Sequence, residues 1–192
     1  MPELTFVTGN TEKFHIAEKA FAAGGITLLQ GKHDVDEIQS EDPDAIVIDK
    51  VHRAYELAQK PVVVNDDTWE IPGLRGFPGP YMKSVAHWFT AEDFLNLTRP
   101  LANRSVVLSQ RIAYKDVHIQ KVITLSYSGL LLREARGSYG TGWQKVITMP
   151  GDNGLSVAEA YDNGASVADR EVTEGWRAFI AWYNESIGAH IT

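Results

Sequence analysis

The hydrophobic pattern changes period several times along the chain. Leu4-Thr5-Phe6-Val7 is a short run of the buried-strand type that stops at Gly9-Asn10. Phe14, Ala17, Ala20 and Phe21 then recur at helical spacing through Thr11 to Ala23. Ile26 to Leu29 is a second short strand, followed by an acidic stretch from Asp34 to Asp44. Asp42-Pro43-Asp44 predicts a helix start, with Asp as N-cap and Pro in the first turn. Val47, Val51, Ala54 and Ala58 give that helix its apolar face. Pro61 to Val64 is a central strand running into Asn65-Asp66-Asp67-Thr68, after which a Gly- and Pro-rich loop extends to Tyr81.

Past a helical patch at Ala91 to Leu97, the chain becomes β-rich. Arg104 to Tyr114, Val117 to Ser128 and Gly129 to Arg136 are predicted as three antiparallel strands. Gly137 to Gly154 is a loop region. An amphipathic helix from Thr173 to Ile187 closes the chain and buries Trp176, Phe179, Ile180, Tyr183 and Ile187. Strands alternate with helices over the first half and follow one another in the middle. The expected fold is therefore α/β, a mixed sheet flanked by helices, with residues 1–192 as a single two-lobed domain.

Composition narrows the function classes. At 192 residues and 44% hydrophobic content the chain can bury a substantial core. A formal net charge of −7 disfavours polymeric nucleic acid, whose binding needs many Lys and Arg on phosphates. One polyanionic small molecule remains compatible if a few cations are concentrated in a cleft. No apolar run approaches a membrane span, and the first stretch lacks a signal-peptide core, so a cytoplasmic protein is expected. The absence of cysteine excludes thiolate metal sites and a cysteine nucleophile. Histidines 15, 33, 52, 87, 118 and 190 have no zinc-ligand spacing, and no serine lies in a GxSxG setting.

Four segments can carry chemistry. Thr8-Gly9-Asn10 joins a strand to a helix, and Lys13 lies one turn in. Helix N-termini offer N–H groups and a favourable dipole to an anion, and glycine permits close approach. An ordinary strand-to-helix turn with a solvated lysine has the same spacing, and the P-loop pattern is absent. Asp66-Asp67-Thr68 follows a buried strand, where ligands bind in α/β sheets. Glu37, Glu41 and Asp42 lie in the acidic stretch, where one carboxylate could join Asp66 or Asp67 on Mg²⁺. Gly73 to Lys83 is a stiff loop that could fix Lys83 over a phosphate.

Taken in order, TGNTEK (Thr8–Lys13), EIQ (Glu37–Gln39), Lys50, DDT (Asp66–Thr68) and GLRGFPGPYMK (Gly73–Lys83) resemble the inosine/xanthosine triphosphate pyrophosphatase family. The resemblance implies an ITPase-like fold, with two lobes around a central nucleotide-binding cleft. It implies a Mg²⁺-dependent hydrolase, with Mn²⁺ as a possible substitute, that converts ITP, dITP or XTP to the monophosphate and pyrophosphate. It also implies a homodimer. Thr8, Gly9, Asn10, Lys13, Lys50 and Lys83 would hold phosphate, and Thr68 would donate a hydrogen bond to the substrate. Glu37 and Asp67 would bind the metal, with Glu41 or Asp42 as alternatives to Glu37. Asp67, or Asp66 beside it, would activate the water.

The second half departs from the family pattern. Where the family has F-G-[WY]-D, the nearest segment is Gly140-Thr141-Gly142-Trp143-Gln144, which keeps Gly142 and Trp143 as substrate-binding candidates and replaces Asp by Gln144. The family's Ser-His-Arg falls on Thr173-Glu174-Gly175 or Ala168-Asp169-Arg170. Two alternatives follow: a non-catalytic nucleotide-binding relative, or a pyrophosphatase with altered base preference.

Overall fold

The computed structural model describes residues 2–33, 35–164 and 172–187. In chain order they form β1 (Glu3–Val7), α1 (Thr11–Ala23), β2 (Thr27–Gly31), α2 (Pro43–Ala58) and β3 (Val62–Glu70). After a 3-10 turn at Pro72–Leu74 come β4 (Pro78–Gly79), α3 (Met82–Trp88), α4 (Ala91–Thr98), β5 (Ser105–Lys115) and β6 (Gln120–Leu131). The chain ends with β7 (Ile147–Thr148), α5 (Val157–Asp162) and α6 (Val172–Ser186). Strand order is β2-β1-β3-β5-β6-β7, with β4 paired to β3 off this path. The expected mixed α/β fold is present. The chain forms two compact units: Met1–Asp66 with Gln110–Leu125 and Val172–Thr192, and Asp67–Ser109 with Ser126–Glu171.

The first unit is built on β1. Leu4 to Val7 are all buried, as expected of a strand covered on both faces. It pairs in parallel with β2, Glu3 opposite Thr27 through Val7 opposite Gly31, and with β3, Thr5 opposite Val62 and Phe6 opposite Val63. Side chains alternate across the strand. Val7, Val62 and Val64 therefore pack with Val47, Val51 and Ala54 of α2. Phe6 points the other way and meets Trp176 of α6 at 5.1 Å between rings, and Phe21 of α1 meets the same indole at 5.5 Å. Each such buried side chain contributes about 1.5–3 kcal/mol. Ile187, expected in this core, is only half-buried because it follows the last turn of α6.

The caps explain why the helices begin where they do. The Asn10 Oδ1 accepts the Lys13 N–H at 3.0 Å, and the Asp42 Oδ1 accepts the Asp44 N–H at 2.9 Å. Each satisfies a first-turn donor that the helix cannot reach. Gln59 then ends α2 in the left-handed region at φ 52°.

The second unit differs more from the sequence reading. β3 continues through Asp66, Asp67 and Thr68 to Glu70, where Trp69 pairs with Gly79 and Glu70 with Pro78 of β4. The loop from Gly73 to Lys83 ends before Lys83, which lies in the first turn of α3. The strand expected at Gly129 to Arg136 is not separate, because β6 runs through Gly129 to Leu131. That glycine marks a close approach and not a break: a Cβ there would lie 2.4 Å from the Thr148 carbonyl of β7. The Arg104 guanidinium donates to the carbonyls of Leu131, Leu132 and Thr98, tying β6 to the end of α4. Ile71, Phe94, Val106, Leu131, Trp143 and Ile147 belong to the core of this unit.

Candidate functional site

In the first unit the chain leaves β1, crosses by α1 to β2 on one side, and returns by α2 to β3 on the other. The carboxyl end of β1 and the adjoining middle of β3 thus flank a topological switch point, the place where open α/β sheets take ligands. With Phe6 opposite Val63, the continued register sets Thr8 opposite Asn65. The turn after β1 and the Asn65-Asp66 step of β3 are neighbours for this reason.

The turn is held by its own side chains. The Thr8 N–H donates to the Gly31 carbonyl at 3.2 Å, which closes the β1–β2 ladder. The Thr8 Oγ accepts the Asn10 N–H at 3.1 Å, and Gln30 donates to the Thr8 carbonyl at 3.1 Å. Gly9 is exposed outside the left-handed region, and a Cβ there would meet no heavy atom within 4 Å. Backbone conformation does not demand this glycine. Its lack of a side chain keeps the turn open over the helix N-terminus, and half-buried Lys13 adds a cation one turn in.

Lys50 joins three elements. From α2 its ammonium donates to the Glu37 Oε1 at 2.5 Å and to the Asn65 carbonyl at 3.3 Å. The Lys50 side chain is 16% exposed and that of Glu37 46%, so a mostly enclosed cation reaches a more open carboxylate. Residues 35–40 have no regular secondary structure, and this contact anchors them to β3. Of the three carboxylates left open by the sequence, Glu37 is the one bound here. Asp42 caps α2, and Glu41 is exposed.

Sequence reasoning missed two contributors. The Asn65 carbonyl is a backbone group and leaves no residue signature. Arg111 of β5, 12% exposed, donates to the Asp44 Oδ1 at 2.6 Å at the start of α2. Its signal was a lone charge inside the apolar run from Val106 to Tyr114.

The second unit contains the remaining candidates. Asp67 is half-buried in β3, next to a completely enclosed Thr68. Lys83 is exposed on α3. Gly142 lies on the start of α4, where a Cβ would come 2.4 Å from the Ala91 nitrogen and 2.6 Å from the Thr90 carbonyl carbon. Trp143 is 3% exposed, 5.5 Å from the Trp69 ring and 5.1 Å from Phe94, and its indole Nε1 has no hydrogen-bond partner among the described residues. Gln144 folds back on its own turn, its Oε1 accepting from the Thr141 N–H at 2.9 Å and from the Thr141 hydroxyl. Glu174 is exposed in the first turn of α6, and Ala168-Asp169-Arg170 lies outside the described residues.

A divalent metal of the Mg²⁺ type takes oxygen ligands, commonly one or two carboxylates completed by substrate phosphates. Among the described residues no group of three His, Cys, Asp or Glu side chains converges as a metal cage. The first unit does collect hard oxygens around one cation, since the Glu37 carboxylate and the Asn65 carbonyl share the Lys50 ammonium beside Asp66. That donor chemistry fits a metal bound partly through its substrate.

Fold and site together define an α/β protein that gathers a helix N-terminus, a lysine and acidic groups where its strand order reverses. The sequence matches the Ham1 family over residues 4–165, and the chain belongs to that family. It is 26% identical over 186 residues to a dITP/XTP pyrophosphatase of Methanopyrus kandleri, covering 96% of this chain and 98% of that protein. It is 31% identical over 163 residues to an inosine triphosphate pyrophosphatase of Candida glabrata, covering 82% and 85%. The HAM1 protein of Coxiella burnetii has the same fold, with a TM-score of 0.76 at 18% identity over 97% of this chain and all of that one.

Proposed function

We propose that this chain is a nucleoside-triphosphate pyrophosphatase that uses Mg²⁺, or Mn²⁺ in its place, and acts on aberrant purine triphosphates such as ITP, dITP and XTP. The observation that carries this reading is the Lys50 contact, which draws Glu37 to the Asn65-Asp66 step within β3, at the switch point that also holds the Thr8–Asn10 turn. The matching relatives support the same chemistry.

In this reading the α1 N-terminus, Thr8, Gly9, Asn10 and Lys13 receive phosphate oxygens, and Lys50 and Lys83 neutralise further charge. Phosphoryl chemistry depends chiefly on such positioning and charge stabilisation. Glu37 and Asp67 are the metal ligands. When bound, the metal polarises phosphate oxygens and stabilises the charge that develops on them. Asp67, or Asp66 next to it in β3, takes the proton of the attacking water. The water oxygen bonds to the α-phosphorus, the bond to the bridging oxygen breaks, and monophosphate and pyrophosphate leave. Thr68, Gly142 and Trp143 complete the substrate-binding set, with Thr68 and Trp143 fixed by enclosure and half-buried Gly142 lying against α4.

A shifted base preference is the second reading, favoured by one observation. Gln144, standing in place of the family's Asp, spends its Oε1 on Thr141. A site selects the base whose polar atoms pair with its own, so this exchange alters selection before it alters reaction type.

Pyrophosphate release from ITP, dITP, XTP and the standard triphosphates, in Mg²⁺ and Mn²⁺, tests both readings. Turnover fastest with the deaminated purines is the expected result. Turnover confined to another base supports the second reading, and binding without turnover of any triphosphate makes the chain a non-catalytic relative. We further propose that residues 1–192 act as one functional domain in a cytoplasmic homodimer. Exposed Phe77, Tyr81 and Trp88 support association, and the mass by light scattering checks it. No helix among the described residues is long and apolar enough to cross a membrane.

A further inference from the structure

Glu37 has two claims on it. Its Oε1 already accepts from the Lys50 ammonium at 2.5 Å, so a metal bound through that oxygen competes with the lysine for the same negative charge. The same ammonium donates to the Asn65 carbonyl, a second hard oxygen of the kind a divalent cation prefers. Lys50 is therefore a built-in monovalent cation on the oxygens suited to the metal. Its side chain is largely enclosed between α2 and β3, which limits screening by solvent. An ammonium leaving a carboxylate in such a place needs another anion, and a triphosphate supplies one.

Resting on the pyrophosphatase reading, we propose that Lys50 couples metal binding to triphosphate binding by exchanging Glu37 for phosphate. With Lys50 on Glu37, metal alone binds weakly, because a cation of like charge already neutralises the carboxylate. With Lys50 on phosphate, Glu37 is released to the metal. Linkage makes the effect reciprocal: whatever removes Glu37 from Lys50 also strengthens the grip on triphosphate. Lys50 is thus a positioning residue for Glu37 as well as a phosphate ligand.

The test uses the full chain and two separate probes. Mn²⁺ alone is titrated by electron paramagnetic resonance, and inorganic tripolyphosphate is titrated by calorimetry in EDTA. Lys50→Gln should tighten Mn²⁺ alone by about tenfold, as loss of a neighbouring like charge predicts. Lys50→Met, which keeps the aliphatic stem, should do the same if the glutamine variant folds poorly. Lys50→Arg preserves the charge and should stay within about twofold of wild type. Adding Glu37→Gln to Lys50→Gln should erase the gain. In EDTA, Glu37→Gln alone should bind tripolyphosphate several-fold more tightly, and not when Lys50 is also glutamine. Unchanged Mn²⁺ affinity in both neutral variants overturns the proposal, and so does equal tightening by Lys50→Arg. A wild-type chain that turns over no triphosphate defeats the pyrophosphatase reading instead, while leaving the Mn²⁺ arm readable.

Discussion

The two compact units treat their candidate site residues in opposite ways. In the first, the polar atoms of Thr8, Asn10 and Lys50 hold short segments in place at the ends of strands, and Gly9 leaves the turn unobstructed. In the second, Thr68, Gly142 and Trp143 are consumed by packing, and Gln144 closes its own turn. The first group is arranged by hydrogen bonds and charge, whereas Trp143 is packed against aromatic rings and Gly142 against the backbone of α4. Losses in the first should therefore appear in binding and rate. Losses at Thr68, Gly142 and Trp143 of the second should appear first in stability.

Exchanging Asp67 for Asn is expected to have the largest effect. It should lower kcat by about 10²–10⁴-fold, the range for loss of a general base, with KM changing much less. Steady-state pyrophosphate release measures both constants, and an equal loss in Asp66→Asn with Asp67→Asn near wild type would reassign the base. Next is Lys13→Ala, expected to reduce kcat/KM by about 10–100-fold, chiefly through KM, as loss of a charged phosphate contact does.

A pair of glycine substitutions compares the units directly. Gly142→Ala should destabilise the chain by about 1–3 kcal/mol, because its Cβ meets the α4 backbone. Gly9→Ala should shift stability by less than about 0.5 kcal/mol and still weaken triphosphate binding. Urea unfolding and calorimetry with tripolyphosphate separate the two, and a destabilised Gly9→Ala would erase the contrast.

The smallest effect concerns a carboxylate of the first unit that only caps. Burial pushes the Asp116 carboxyl up, but hydrogen bonds from the Tyr114 hydroxyl and the Ile119 and His118 N–H groups outweigh it and hold it below its ordinary value. A depressed carboxyl stabilises the fold above its unfolded value of about 4, and that contribution is lost as pH falls through the lower folded value. Asp116→Asn should therefore flatten the acid limb of stability below about pH 4, as thermal unfolding across pH 2–6 would show.

The sequence made the first unit more legible than the second. Asn10 and Asp42 are caps by residue type, and the helices they start were placed correctly, α1 at both ends. The sequence bounds the central strand at Val64, with the polar run Asn65–Thr68 following it, because Asn and Asp favour turns. β3 nevertheless continues through it, paired at its end with β4. Gly129 read as a break for the same local reason, whereas β7 requires a glycine at that point. The short helices α3 and α5 were missed, having too few turns to show a period.

By itself the sequence determined the strand-to-helix turn at Thr8–Asn10, the Asp42 cap, the alternating α/β order and the set of charged residues able to act. These depend on neighbours within a few positions, where spacing and residue type decide the chemistry. Only the tertiary structure decided which of Glu37, Glu41 and Asp42 meets Lys50, that a backbone carbonyl of Asn65 joins them, and that Gly142 and Trp143 serve the packing. Those outcomes depend on strand register and on which surfaces are brought together from distant parts of the chain, and no local pattern carries that information.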